Sequence, residues 1–102
     1  MKMPVKLLMT WDIRAGLEET YFTFITQEFP VVLQRANLQL TDAWYTVYGN
    51  WPQVRMAFMC EDITILQTFI ISAPWLNIKR KLLTYILDYQ QKIIPARGGF
   101  QI

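Results

Sequence analysis

The chain has 102 residues, of which 53% are hydrophobic and 15% aromatic, and a formal net charge of +2. That length suits one domain around one core, and the apolar content excludes a disordered chain. The charge is too mild to argue for a nucleic-acid partner, and a single cysteine excludes an intrachain disulfide and any cysteine-based metal finger.

Val5 to Ile13 reads as a strand, set off by Pro4 before it and by Arg14, Ala15 and Gly16 after it. The apolar run Leu7 to Met9 is too short for a leader. Leu17 to Phe29 spaces Leu17, Tyr21, Phe24 and Ile25 as one helix face, with Glu18 and Glu19 in the first turn, where carboxylates suit the dipole. Pro30 lacks an N–H and crowds the carbonyl of Thr26, so a kink is expected there, with helix resuming through Arg35. Asn37 tolerates the left-handed conformation that closes such a helix.

Leu38 to Tyr48 is dense in Trp, Tyr, Thr and Val and reads as a second strand. Gly49-Asn50-Trp51-Pro52 turns the chain, and Gln53 to Glu61 returns as a third strand. Cys60 lies in this apolar run as a small core residue. Asp62 is placed to cap a short helix over Ile63 to Ile71. Ser72-Ala73-Pro74 opens a longer helix, whose face carries Trp75, Leu82, Ile86, Tyr89 and Ile93 and which Pro95 ends. Lys79, Arg80 and Lys81 form a solvated face on it, with Lys92 and Arg97 further along. Gly98-Gly99 reads as a flexible joint, and Phe100 to Ile102 is expected as a last short strand. No apolar stretch is long enough to cross a bilayer, Phe69 to Ile71 included, and a cytoplasmic protein is expected.

The order is strand, helix, strand, strand, helix, strand. The expected fold is therefore α+β: a single domain over residues 1–102, with an antiparallel sheet and helices on one side. If the hairpin turn has four residues, position i faces position 101 − i. Val47, Tyr45 and Ala43 then meet Val54, Met56 and Phe58 on one face. The other face pairs Tyr48 with Gln53, Thr46 with Arg55, Trp44 with Ala57 and Asp42 with Met59. In the first strand Val5, Leu7, Met9 and Trp11 share a face, opposite Leu8 and Thr10. A sheet with one wet face should alternate cleanly, apolar against polar. This one does not, so its second face is expected to be covered by another copy of the chain in a homodimer.

The layout resembles the dimeric α/β-barrel (ferredoxin-like) superfamily. That superfamily includes the antibiotic-biosynthesis monooxygenase, muconolactone isomerase and stress-responsive barrel families. The resemblance covers nearly the whole chain. It is carried by the first strand running into Gly16 and by Glu61-Asp62 followed by Ser72-Ala73-Pro74-Trp75. It implies two sheets closing face to face into a barrel, with ligands often lodged between a sheet and its helices. No catalytic residue of those families matches a position in this chain.

The absence of histidine removes the commonest general base near neutral pH and the commonest metal ligand. Ser-His-Asp and Cys-His catalysis go with it. No cofactor or metal is expected, and no glycine-rich phosphate loop is present. The same strand order occurs in RNA-binding RRM domains, but Gln53 to Met59 holds one Phe and no Gly where their aromatic motif would lie.

The remaining constellation is Asp42, Trp44, Tyr48 and Arg55 on one face, with Trp11 and Asp12 as its rim. Arg55 would fix an anionic or carbonyl group while the rings sandwich a flat apolar body. Its plainer reading is an Arg55–Asp42 ion pair at a dimer seam, with the rings merely packed. Two functions fit. One is a homodimer binding a small aromatic or apolar ligand without catalysis. The other, implied by the resemblance, is a cofactor-independent oxygenase or isomerase acting on an aromatic or lactone substrate. For that enzyme Asp12 or Asp42 would be the base, its pKa raised by burial.

Overall fold

Alternation decides the central element. Val5, Leu7, Met9, Trp11 and Ile13 all point to one side of strand β1 (Val5–Ile13) and are at most 7% exposed. The computed structural model describes residues 2–46 and 52–96. β1 leads through a turn at Gly16, whose φ of 87° is one that L side chains rarely adopt, into α1 (Glu18–Gln27). The chain breaks at Glu28 and restarts as α2 (Phe29–Arg35), with Pro30 in its first turn. Asn37, at φ 65°, closes α2, and the N–H groups of Asn37 and Leu38 donate to the carbonyls of Gln34 and Leu33 at 3.0 Å each. Then come β2 (Gln39–Tyr45), β3 (Val54–Cys60), α3 (Ile63–Phe69), α4 (Ala73–Leu83) and β4 (Ile86–Pro95). Asp62 caps α3 by accepting from the Thr64 N–H at 3.4 Å, and Ser72 caps α4 by accepting from the Trp75 N–H at 3.5 Å.

The four strands form one antiparallel sheet in the order β2-β3-β1-β4. Helices cover the side bearing Trp11. There Phe29 and Trp11 are each 0% exposed, and Phe29 meets Trp11, Phe58 and Trp75 with ring centroids 6.1–6.3 Å apart. Such tilted and edge-on contacts add to the area these rings bury. Cys60 is 1% exposed, a free thiol within this core. Lys81 reaches Glu28 at 2.7 Å and ties α4 to the break between α1 and α2. Among the described residues no helix is long and apolar enough to cross a membrane.

Two expectations are corrected. The helix read through Ile93 stops at Leu83, and Ile86–Pro95 is the fourth strand. Its apolar spacing mimics a helix because the strand contains a bulge. Opposite Trp11, between the pairs Thr10–Gln90 and Asp12–Leu87, β4 inserts Asp88 at φ 55°. The extra residue switches the face, so Ile86 lies on the same side as Tyr89 and Ile93, three and seven residues on. The last strand expected at Phe100 to Ile102, like Val47, Tyr48 and most of the hairpin turn, lies outside the described residues.

The hairpin register is the second correction. Tyr45 faces Val54, Trp44 faces Arg55 and Ala43 faces Met56, two residues away from the expected pairing. The Thr46 N–H still donates to the Gln53 carbonyl at 2.7 Å, so Gln53 meets Thr46 instead of the expected Tyr48. A shift of two preserves the pleat, so Asp42, Ala43, Trp44 and Tyr45 keep their expected faces; beyond them an extra residue, Thr41, switches the parity of β2.

Candidate functional site

The wholly apolar face of the hairpin goes to the helices, which leaves the mixed face open. Across that open face the register builds two neighbouring rows. In one, Trp44, Arg55, Thr10 and Gln90 are successive partners over β2, β3, β1 and β4. In the next, Asp42, Ala57, Leu8 and Lys92 follow the same order. Ala57 is 2% exposed and Leu8 9%, so the long side chains around them already cover the middle of the sheet. Trp44, by contrast, stands 65% exposed.

These rows surround a hollow of about 450 Å³, lined by Leu8, Thr10, Trp44, Arg55, Gln90 and Lys92, with Thr46, Pro52 and Gln91 at its margin. Two cations and an indole therefore border the hollow together with Leu8, Thr10 and Gln90. Asp42 stands beside the hollow. Its carboxylate accepts from Lys6 Nζ at 3.5 Å and from Thr41 Oγ1 at 3.3 Å. Arg55 has no carboxylate within 4.0 Å among the described residues. Within one chain, then, Asp42 is paired with Lys6 and not with Arg55.

Trp44 and Arg55 thus meet as direct cross-strand partners, and Asp42 lies on the same face one row away. Trp11 does not join them. It sits on the helix side, 0% exposed, and its Nε1–H donates to the Tyr21 hydroxyl at 2.9 Å while its ring stacks on Tyr89 at 6.0 Å. Strand alternation takes Trp11 to the face opposite Trp44. Burial pushes the Tyr21 hydroxyl up to about 12 and raises that of Tyr89 as well, so both stay protonated and neutral in the core. Asp12 braces the end of the sheet: its Oδ1 accepts from the Gln53 N–H at 2.9 Å, and Gln53 Oε1 accepts from the Ile13 N–H at 2.6 Å.

Sequence reasoning missed Gln90 and Lys92 because their strand was taken for helix. The signal was present in Ile86, Tyr89, Ile93 and Ile94, a density of β-branched and aromatic residues that favours a strand.

No protein-family model matches the chain, and no curated protein matches it. Solved structures share its architecture. Hydroxynitrile lyase from Passiflora edulis superposes with a TM-score of 0.74 at 11% identity, over 98% of this chain and 99% of that one. A NIPSNAP family protein from Agrobacterium tumefaciens gives 0.70 at 14% identity, over 97% of this chain and 90% of that one. A candidate antibiotic biosynthesis monooxygenase from Nitrosomonas europaea gives 0.67 at 8% identity, over 95% and 92%. The fold is ferredoxin-like. At these identities the likeness is one of architecture, and it carries no residue roles across.

Proposed function

We propose that the protein is a homodimer that binds a small, flat, apolar or aromatic molecule bearing an anionic group on the open sheet face, without catalysis of its own. The observation that carries this reading is the placement of Trp44, Arg55 and Lys92 around one hollow, with Leu8 between the strands beneath them. An indole offers a stacking surface, and two cations beside it favour an anion by direct hydrogen bonds. The volume lies within the range of small-molecule sites. Trp44 and Leu87 stand 65% and 45% exposed on this side of the sheet, and a second copy laid over it would exclude water from them and close the hollow. The enzyme reading needs a carboxylate at the hollow. Asp42 is engaged with Lys6 and Thr41 and Asp12 with Gln53, and neither lines the hollow, which favours binding. A single buried thiol and no disulfide to form suit a reducing compartment, and we place the protein in the cytoplasm.

The test uses 2-naphthoate as probe, by isothermal titration, with sedimentation velocity for the assembly. Wild type is expected to be a dimer that binds 2-naphthoate, and Arg55→Ala to weaken binding roughly tenfold, the loss of one hydrogen bond between charged groups. Trp44→Ala should weaken it as well. Unchanged affinity in both variants refutes the site, and a monomeric wild type refutes the assembly.

A further inference from the structure

The helix layer contains a second space that the open-face site does not use. α2 leans on α1 and α4, whereas α3 rests on β1 and β3, and a cleft of about 590 Å³ lies between α2 and α3. Val32 of α2 and Ala36, the residue that caps it, line the cleft with Ile65 and Phe69 of α3 and with Pro74. No strand residue lines this cleft, so it is separate from the hollow on the far side of the sheet.

Its polar groups are unequal. Three hydroxyls border it, and each already donates within the chain. Thr64 Oγ1 donates to Asp62 Oδ2 at 3.0 Å, Thr68 Oγ1 to the Thr64 carbonyl at 3.0 Å, and Ser72 Oγ to the Phe69 carbonyl at 2.6 Å. Arg35 differs. It lies in the last turn of α2, where its charge suits the helix dipole. Among the described residues no carboxylate comes within 4.0 Å of its guanidinium. The cleft thus offers apolar walls and a single cation with donors to spare.

We propose that this cleft binds a medium-chain fatty acid, its alkyl chain along Val32, Ile65 and Phe69 and its carboxylate on Arg35. A neutral apolar guest would partly desolvate the guanidinium and give it no partner. A polyanion would find only one cation. A monocarboxylate with an apolar chain satisfies both the walls and the charge, and a guanidinium meets a carboxylate with two parallel donors.

The experiment is titration of the intact protein with decanoate and, separately, with decan-1-ol. Decanoate should bind saturably, and Arg35→Gln should weaken it about fivefold, the upper end for an exposed ion pair. Decanol should bind wild type more weakly than decanoate and be indifferent to Arg35→Gln. Ile65→Trp and Ala36→Phe, which fill the cleft from opposite walls, should each abolish decanoate binding, and thermal melts identify which of the two folds as wild type does. Arg55→Ala should leave decanoate affinity as it is. No saturable binding, equal affinity for acid and alcohol, or binding that survives a folded cleft-filling variant would overturn the proposal. Loss of decanoate binding in Arg55→Ala alone would overturn it too, by moving the guest to the open face.

Discussion

Replacing Tyr21 by Phe isolates one buried hydrogen bond and one buried titration at a single position. Tyr21 is 1% exposed and its hydroxyl is the acceptor for the Nε1–H of Trp11, itself 0% exposed. Tyr21→Phe keeps the ring and strands the indole N–H without a partner, at a cost of about 1–3 kcal/mol at pH 7. That corresponds to a fall in melting temperature of roughly 4–8 °C per kcal/mol for a domain of this size. The second effect has the opposite trend with pH. Burial raises the hydroxyl from 10.0 to about 12. Above pH 10 the unfolded chain therefore ionises this tyrosine while the folded chain still holds the proton. The unfolded state then binds fewer protons, and stability falls as pH rises from 10 to about 12. At 1.36 kcal/mol per unit the two-unit difference amounts to about 3 kcal/mol. Phe cannot titrate, so Tyr21→Phe lacks this portion of the alkaline loss, while Tyr89, also raised by burial, contributes equally to both proteins. Urea unfolding at pH 7 and pH 11 measures both effects. The wild type should lead clearly at pH 7, and its advantage should shrink by about 1.4 kcal/mol at pH 11. A variant within 0.5 kcal/mol of wild type at pH 7, or a gap that does not narrow at pH 11, refutes the reasoning.

Two further outcomes follow from the described geometry. Asp88 holds a φ of 55° in the β4 bulge, so Asp88→Gly should raise stability by up to about 1 kcal/mol, and Asp88→Val should lower it by 1–2 kcal/mol, as read from urea midpoints; equal effects would show that the left-handed backbone is not maintained. Cys60, 1% exposed, should react with a thiol reagent only as fast as the protein opens, and a burst of labelling under native conditions would contradict its burial.

Local pattern carried much of this structure. The odd residues of β1, the Pro30 break, the Asn37 closure and the caps at Asp62 and Ser72 each follow from nearby chemistry and are legible without a fold. So is the shared face of Trp44 and Arg55, which withstands a register shift of two because the pleat repeats every two residues. What was not legible depends on a single inserted residue. Asp88 converts the strand period of Ile86, Tyr89 and Ile93 into three and seven, which is also the period of a helix face, and only pairing with β1 separates the two. Lys92 was lost to the site for that reason. Trp11 was misplaced for a different one: its position near the end of a strand suggested a rim, whereas the parity of β1 sends it into the core with Leu7 and Met9.

The two bulges also have a bearing on self-association. β2 and β4 are the outer strands, and each carries one inserted residue, Thr41 between the pairs Leu40–Phe58 and Asp42–Ala57, and Asp88 opposite Trp11. Pro95, opposite Val5 at the end of β4, has no N–H to offer a further strand. Irregular borders of this kind are poor templates for adding strands sideways. Growth of the sheet into a continuous ribbon is disfavoured at both margins, which leaves the open broad face as the surface on which the proposed second copy would lie.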